Sequence, residues 1–193
     1  MGRSVGVTRD QVVLVGAGLA DRYGWENLTL ALVAQELKIK LPSLYNHVDG
    51  LAGLRRAIAL HVLREMAATL SRATVGRAQD HAVRSLAHAY RQYVLAHPGS
   101  YMAMVRAPDP EDQELGQASI AVVEVVLAVL AGYQLQGDRA VHMVRGLRSL
   151  IHGFATIEVS GGFGLALDRD QSFELLIDTY IAGLRQLHSA REP

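Results

Sequence analysis

Residues 28–48 read LTLALVAQELKIKLPSLYNHV. Two short helical patterns meet in this stretch across a tight turn. The first covers about 29–37, with Leu30, Val33, Ala34 and Leu37 on one face at helical spacing. The second carries Pro42 in its first turn, where a missing N–H costs little, and ends near His47. Ile39, Leu44 and Val48 are spaced to anchor it, which leaves Lys40, Leu41, Pro42, Ser43, Tyr45, Asn46 and His47 to face outward. A cation, a hydroxyl, a phenol, an amide and an imidazole on one short helix are groups that contact phosphates and base edges. The Thr29 hydroxyl and the first amides of the preceding helix make a further phosphate site.

Upstream, Thr8-Arg9-Asp10-Gln11 is a capping box, and Val12, Val15, Gly16, Leu19 and Tyr23 follow on one helical face until Gly24 stops it. Three helices of about 16, 9 and 7 residues, the last two joined by a tight turn, have the dimensions of a helix-turn-helix. Downstream, helices are expected over about 49–73 and 79–96, with a short piece over 101–105. Asp109-Pro110-Glu111-Asp112 reads as the start of a helix to about 132, because acids and a first-turn proline favour that end. Two more follow over 137–159 and about 168–188. The two-residue alternation of a strand is nowhere sustained. The expectation is an all-α chain of about nine helices.

Composition narrows the function classes. The 193 residues carry 19 Lys+Arg against 19 Asp+Glu, so bulk charge does not argue for nucleic acid. Position says more: residues 1–60 hold Arg3, Arg9, Arg22, Lys38, Lys40, Arg55 and Arg56 against five acids, and both lysines of the chain fall within 38–40. With no cysteine there is no disulfide, thiolate zinc site or cysteine nucleophile. The eight histidines show no i,i+4 pair, so no metal is expected. No phosphate-cradling glycine motif is present, and Ser149 with His152 lacks an orienting acid, so neither a cofactor nor catalysis is expected. The start MGRSVGVTRD lacks the apolar core of a secretory signal, and Glu124 interrupts the longest apolar run. The expectation is a cytoplasmic protein with no membrane partner.

The string Leu28-Thr29, Val33-Ala34, Leu37 and Pro42-Ser43-Leu44-Tyr45-Asn46-His47-Val48 resembles the DNA-binding domain of the TetR family of bacterial repressors over about residues 8–60. The resemblance implies an N-terminal DNA-binding domain, 1–56, and a C-terminal helical-bundle ligand-binding and dimerisation domain, 57–193. It also implies a homodimer on double-stranded DNA with a palindromic operator. Lys40, Leu41, Pro42, Ser43 and Asn46 then look like the base-reading surface, and Thr29, Tyr45 and His47 like phosphate contacts. Three departures stand out. Lys38 holds a turn position usually held by glycine, and Lys40 replaces a helix-starting serine. Leu51 replaces a lysine, whose phosphate contact would pass to Arg55 or Arg56.

Residues 150–158 with 178–184 resemble a subgroup with a His-Gly motif in the eighth helix. The resemblance places a small-molecule inducer in a space bounded by the fourth to eighth helices. Its polar candidates are His61, His88, Arg91, Tyr101, His142, Arg145 and His152, with Glu158 beside them. Taken singly, each also fits a bland role: His152 bonding a buried carbonyl, Arg91 and Arg145 laying their stems along the surface. Dimer faces are expected at Leu150, Phe154 and Ile157 on one helix, and at Phe173, Ile177, Tyr180, Ile181 and Leu184 on the next. These faces could equally close the core of a single chain. Two rivals stay open: a ligand-independent DNA-binding regulator, and a small-molecule-binding helical protein with a degenerate helix-turn-helix.

Overall fold

Thr8 starts the first helix of the structure, a computed structural model that describes residues 6–189. Its hydroxyl accepts from Gln11 N at 3.2 Å, while Gln11 Oε1 accepts from Thr8 N at 3.0 Å. Arg3, counted among the basic N-terminal residues, lies outside the described residues. The order is α1 (Arg9–Tyr23), a 3-10 helix (Trp25–Asn27), α2 (Leu30–Glu36), α3 (Leu41–Leu44), α4 (Gly50–Thr74), α5 (Gln79–Ala96), a second 3-10 helix (Ser100–Met104), α6 (Gln113–Ala131), α7 (Gly137–Val159) and α8 (Arg169–Ser189). The fold is all-helical, with no strand among the described residues. Eight α-helices among the described residues stand against the nine expected, because the short sixth piece is a 3-10 helix.

The helix expected from Asp109 begins instead at Gln113. Asp109 caps only a turn, accepting from Glu111 N at 3.0 Å, and the capping role passes to Asp112, which accepts from Leu115 N at 3.1 Å. Asp112 is fixed there by Arg56, at 2.5 and 2.7 Å. The apolar-run argument also needs correction. Gln113–Ala131 is long and apolar enough to cross a membrane by length and composition, its two glutamates notwithstanding.

The chain divides into two compact units. The first comprises the described part of Met1–Arg64 together with His97–Ser119. Its core includes Val12, Leu19, Ala20, Leu28, Val33, Leu44, Leu54 and Ile58, all nearly inaccessible to water. One carboxylate joins its two stretches. Asp21 on α1 accepts from Gly99 N at 3.0 Å, Ser100 N at 2.7 Å and Ser100 Oγ at 3.2 Å, and His97 Nδ1 lies 3.3 Å away. It thereby caps the second 3-10 helix. Gly99 permits the approach: a Cβ there would lie 1.8 Å from the Ala20 carbonyl oxygen.

The second unit comprises Glu65–Ala96 and the described part of Ile120–Pro193. Here α5 packs chiefly against α7, and both pack against α8. Phe173, Ile177, Ile181 and Leu184 are buried in this core, and Tyr180 is nearly so, its hydroxyl donating to Met143 O at 2.7 Å. The α8 face expected at a dimer interface therefore closes the core of its own chain. A 3.6-residue period marks an apolar face but does not say which chain covers it. On α7, Leu150 and Phe154 are half-buried, and Ile157 remains 45% exposed. The division of roles into 1–56 and 57–193 is a separate matter from these units, and α4 contributes to both of them.

Candidate nucleic-acid interface

The turn between α2 and α3 is built around Lys38, which adopts φ 55°, the left-handed region that glycine enters without cost. Its N–H donates to Gln35 O at 3.1 Å, and Ile39 N reaches Ala34 O at 3.0 Å, which ends α2 and redirects the chain. Lys40 follows in extended conformation as the residue before α3, and it supplies no side-chain cap. Leu44 and Val48 are buried and fasten the far side. α3 itself is one turn long. After Leu44 the amides of Tyr45, Asn46 and His47 bond three residues back instead of four, so the expected last turn is wound tighter.

This geometry turns one edge of the motif to solvent. Lys40, Leu41, Pro42, Tyr45 and Asn46 are exposed, and Ser43 and His47 are half-buried. Thr29 caps α2, its hydroxyl accepting from Leu32 N at 3.3 Å, and it too is exposed. Neither Lys38 nor Lys40 forms an ion pair with the described residues, and both are exposed. The edge therefore presents two lysine cations with three hydroxyls, an amide, an imidazole and the apolar Leu41. That set suits a polyanion whose bases carry both polar edges and methyl groups.

The fourth-helix arginines are directed elsewhere. Arg55 Nη2 donates to Trp25 O at 3.2 Å, and its guanidinium lies 5.3 Å from the centroid of the Trp25 ring and 3.6 Å from Glu26. Arg56 is clamped by Asp112 and, at 3.0 Å, by Glu114; these bonds hold both carboxylates below their usual range. Both arginines thus brace the motif from behind. Their partners lie about 30 and 56 residues away, so local spacing carried no signal of them.

The seven residues expected at an inducer site divide between the two units. His61 lines a cleft of ≈ 360 Å³ in the first unit, with Arg9, Asp10, Leu14, Arg64 and Glu114. Tyr101 is buried in that same unit. His142 and Arg145 are exposed on α7, because Val144, Leu147 and Ile151 take the inward positions. Arg91 is 2% exposed and bonds Glu158 at 2.8 and 2.7 Å, with Asp170 at 2.8 Å and the Phe154 and Phe173 rings beside it. Its own surface is almost wholly covered, while its partner Asp170 stands exposed. His88 meets Glu174 at 2.6 Å and the edge of Phe173. His152 is partly buried, and burial, reinforced by the Arg148 charge, lowers its pKa from 6.5. A second cleft, of ≈ 280 Å³, opens beside the loop between α7 and α8.

The fold and the sequence have counterparts among known proteins. Residues 83–180 match the family described as the tetracyclin repressor-like C-terminal domain. An uncharacterised HTH-type transcriptional regulator of Mycobacterium tuberculosis is 37% identical over 185 residues, covering 95% of this chain and 84% of the relative. A protein of unknown function from Rhodococcus sp. RHA1 has a similar structure, with TM-score 0.80 at 21% identity over 96% of this chain and 99% of that one. A TetR variant from Acinetobacter baumannii AYE, solved with minocycline, gives 0.72 at 20% identity over 95% and 99%. The two structural likenesses concern the fold. The regulator's likeness extends through the helix-turn-helix stretch as well, and on these grounds the chain belongs to the TetR family of helix-turn-helix transcriptional regulators.

Proposed function

We propose that the chain is a cytoplasmic homodimeric repressor that holds a palindromic operator in double-stranded DNA and releases it when a small-molecule inducer binds. Residues 1–56 supply recognition; 57–193 supply ligand binding and dimerisation. The observation that carries the DNA contact is the exposed edge from Lys40 to Asn46, with two exposed lysines, 38 and 40, at its start. Lys40, Leu41, Pro42, Ser43 and Asn46 read bases, and Thr29, Tyr45 and His47 position the helix on phosphates. Arg55 leaves the contact set and braces Trp25.

For the inducer, the minocycline held by one structural neighbour supports a ligand of small organic class. His88 and His152 are its polar contacts in the second unit; Arg91 is already committed to two carboxylates. No catalytic step is assigned to any residue. The test is selection of genomic fragments by the purified protein, followed by Lys40→Ala. Two half-sites centred one to two helical turns apart are expected. Lys40→Ala should cost about 1–3 kcal/mol at one base pair and relax preference there. Equal weakening on operator and random DNA would make Lys40 a phosphate contact only, and a failure to prefer any fragment would overturn the operator reading.

A further inference from the structure

We propose that the cleft between α1, α4 and the start of α6 binds a small zwitterion, one ammonium and one carboxylate on a compact apolar body. Every residue lining it belongs to the first unit. The site is therefore separate from the inducer contacts of the second unit and stands whether or not those hold.

The cleft measures ≈ 360 Å³. Small-molecule sites occupy about 300–1,000 Å³, so it suits a ligand at the small end of that range. Val13, Ala57 and Leu60 give it an apolar lining and are otherwise buried in their own core. Leu14, 53% exposed on α1, adds apolar surface that the body of a ligand can cover.

The polar groups fall into two sets. Arg64 and Glu114 bond each other at 3.1 Å, and Glu114 also accepts from Arg56 at 3.0 Å, so this side is satisfied within the chain. Arg9 and Asp10, by contrast, stand side by side and exposed in the first turn of α1. Neither they nor His61, half-buried on α4, make a side-chain hydrogen bond or ion pair with the described residues.

The signs of these charges select the ligand. An anion would gain Arg9 but meet Asp10 and Glu114. A cation would gain Asp10 but meet Arg9 and Arg64. A zwitterion sets its carboxylate toward Arg9 and its ammonium toward Asp10, and the His61 ring is a further hydrogen-bonding group beside them. Two guanidiniums balanced by two carboxylates also set the cleft apart from the lysine edge that suits a polyanion. A metal ion finds no set of three His, Asp or Glu ligands among the described residues. Because α1 packs on α2 and α2 on α3, a ligand held on α1 lies one helix away from the recognition edge.

The test uses the full-length chain and three probes that share one aromatic body. They are free phenylalanine, hydrocinnamate, which lacks the ammonium, and phenethylamine, which lacks the carboxylate. In calorimetric titration phenylalanine should bind about tenfold or more tighter than either. Arg9→Gln should remove its advantage over phenethylamine, and Asp10→Asn its advantage over hydrocinnamate. Both residues are exposed, and an unchanged melting temperature checks that the variants stay folded. Because the chain has no cysteine, Leu14→Cys places a single thiol in the cleft, and phenylalanine should slow its alkylation severalfold. No binding of phenylalanine at about 10 mM, or equal binding of the three probes, would overturn the proposal. Binding that neither variant alters and that leaves the alkylation rate unchanged would also overturn it, by placing the ligand outside this cleft, and would leave the inducer reading of the second unit intact.

Discussion

Arg91 carries more polar and aromatic contacts than its place in an apolar helix suggests. Its guanidinium is 2% exposed and spans Glu158, Asp170 and two phenylalanine rings. Removing it strands the Glu158 carboxylate, whose side chain is 9% exposed. Arg91→Ala should therefore destabilise the chain by about 3–5 kcal/mol in urea denaturation, and adding Glu158→Leu should restore part of that loss. His152 carries a pH dependence of determinate sign. Its folded pKa lies below the ordinary 6.5, so the folded state favours the neutral ring. Its contribution is complete above that unfolded value and is lost as pH falls through the folded one. His152→Gln should thus flatten the fall in melting temperature between about pH 7 and pH 5 relative to wild type. Such residues were visible in the sequence as polar interruptions of apolar helices. Their roles were not, because Glu158 lies 67 residues from Arg91.

Among the elements, the turn into α3 shows what a local departure costs. Lys38 holds φ 55°, and an L-residue there is strained by roughly 1–2 kcal/mol. Lys38→Gly should raise stability by about 1 kcal/mol, somewhat offset by unfolded-state entropy, measurable as a higher melting temperature. It should also weaken DNA binding at low salt, through the lost cation. The capping box of Thr8 and Gln11 was legible from the sequence because both its bonds are local. Thr8 with Gln11, Thr29 and Asp168 all sit at helix starts with their bonds formed. The start of α6 was misplaced by about a turn because Asp112 takes its position from Arg56, on another helix. The apolar face of α8 was read correctly as a face. Its covering came from α5 and α7 of the same chain, a fact of packing that periodicity does not encode. Leu184, with no exposed area, is part of that core.

For the whole molecule, zero net charge means that affinity for DNA comes from local placement of cations. Each phosphate neutralised releases counterion, so the slope of log affinity against log salt counts the contacts, at about 0.9 per phosphate. With Arg55 and Arg56 held by partners within the first unit, the slope should be about −3.6 to −5.4 for a dimer with two or three cations per copy. Anisotropy titrations on an operator fragment across salt concentrations measure it directly. The capping of Ser100 by Asp21 bears on how such a protein could be re-engineered or reshuffled. The recognition helices are not a detachable cassette. A chimera that transplants residues 8–56 alone onto another regulator carries Asp21 away from the two amides it serves, and leaves Arg56 without Asp112 and Glu114. A graft made that way should be soluble only in low yield, whereas one that also carries 97–119 should fold. New operator preferences would then arise in this lineage by point substitution along α3 more readily than by a single crossover, since one crossover that moves both stretches of the first unit must also carry residues 65–96 of the second.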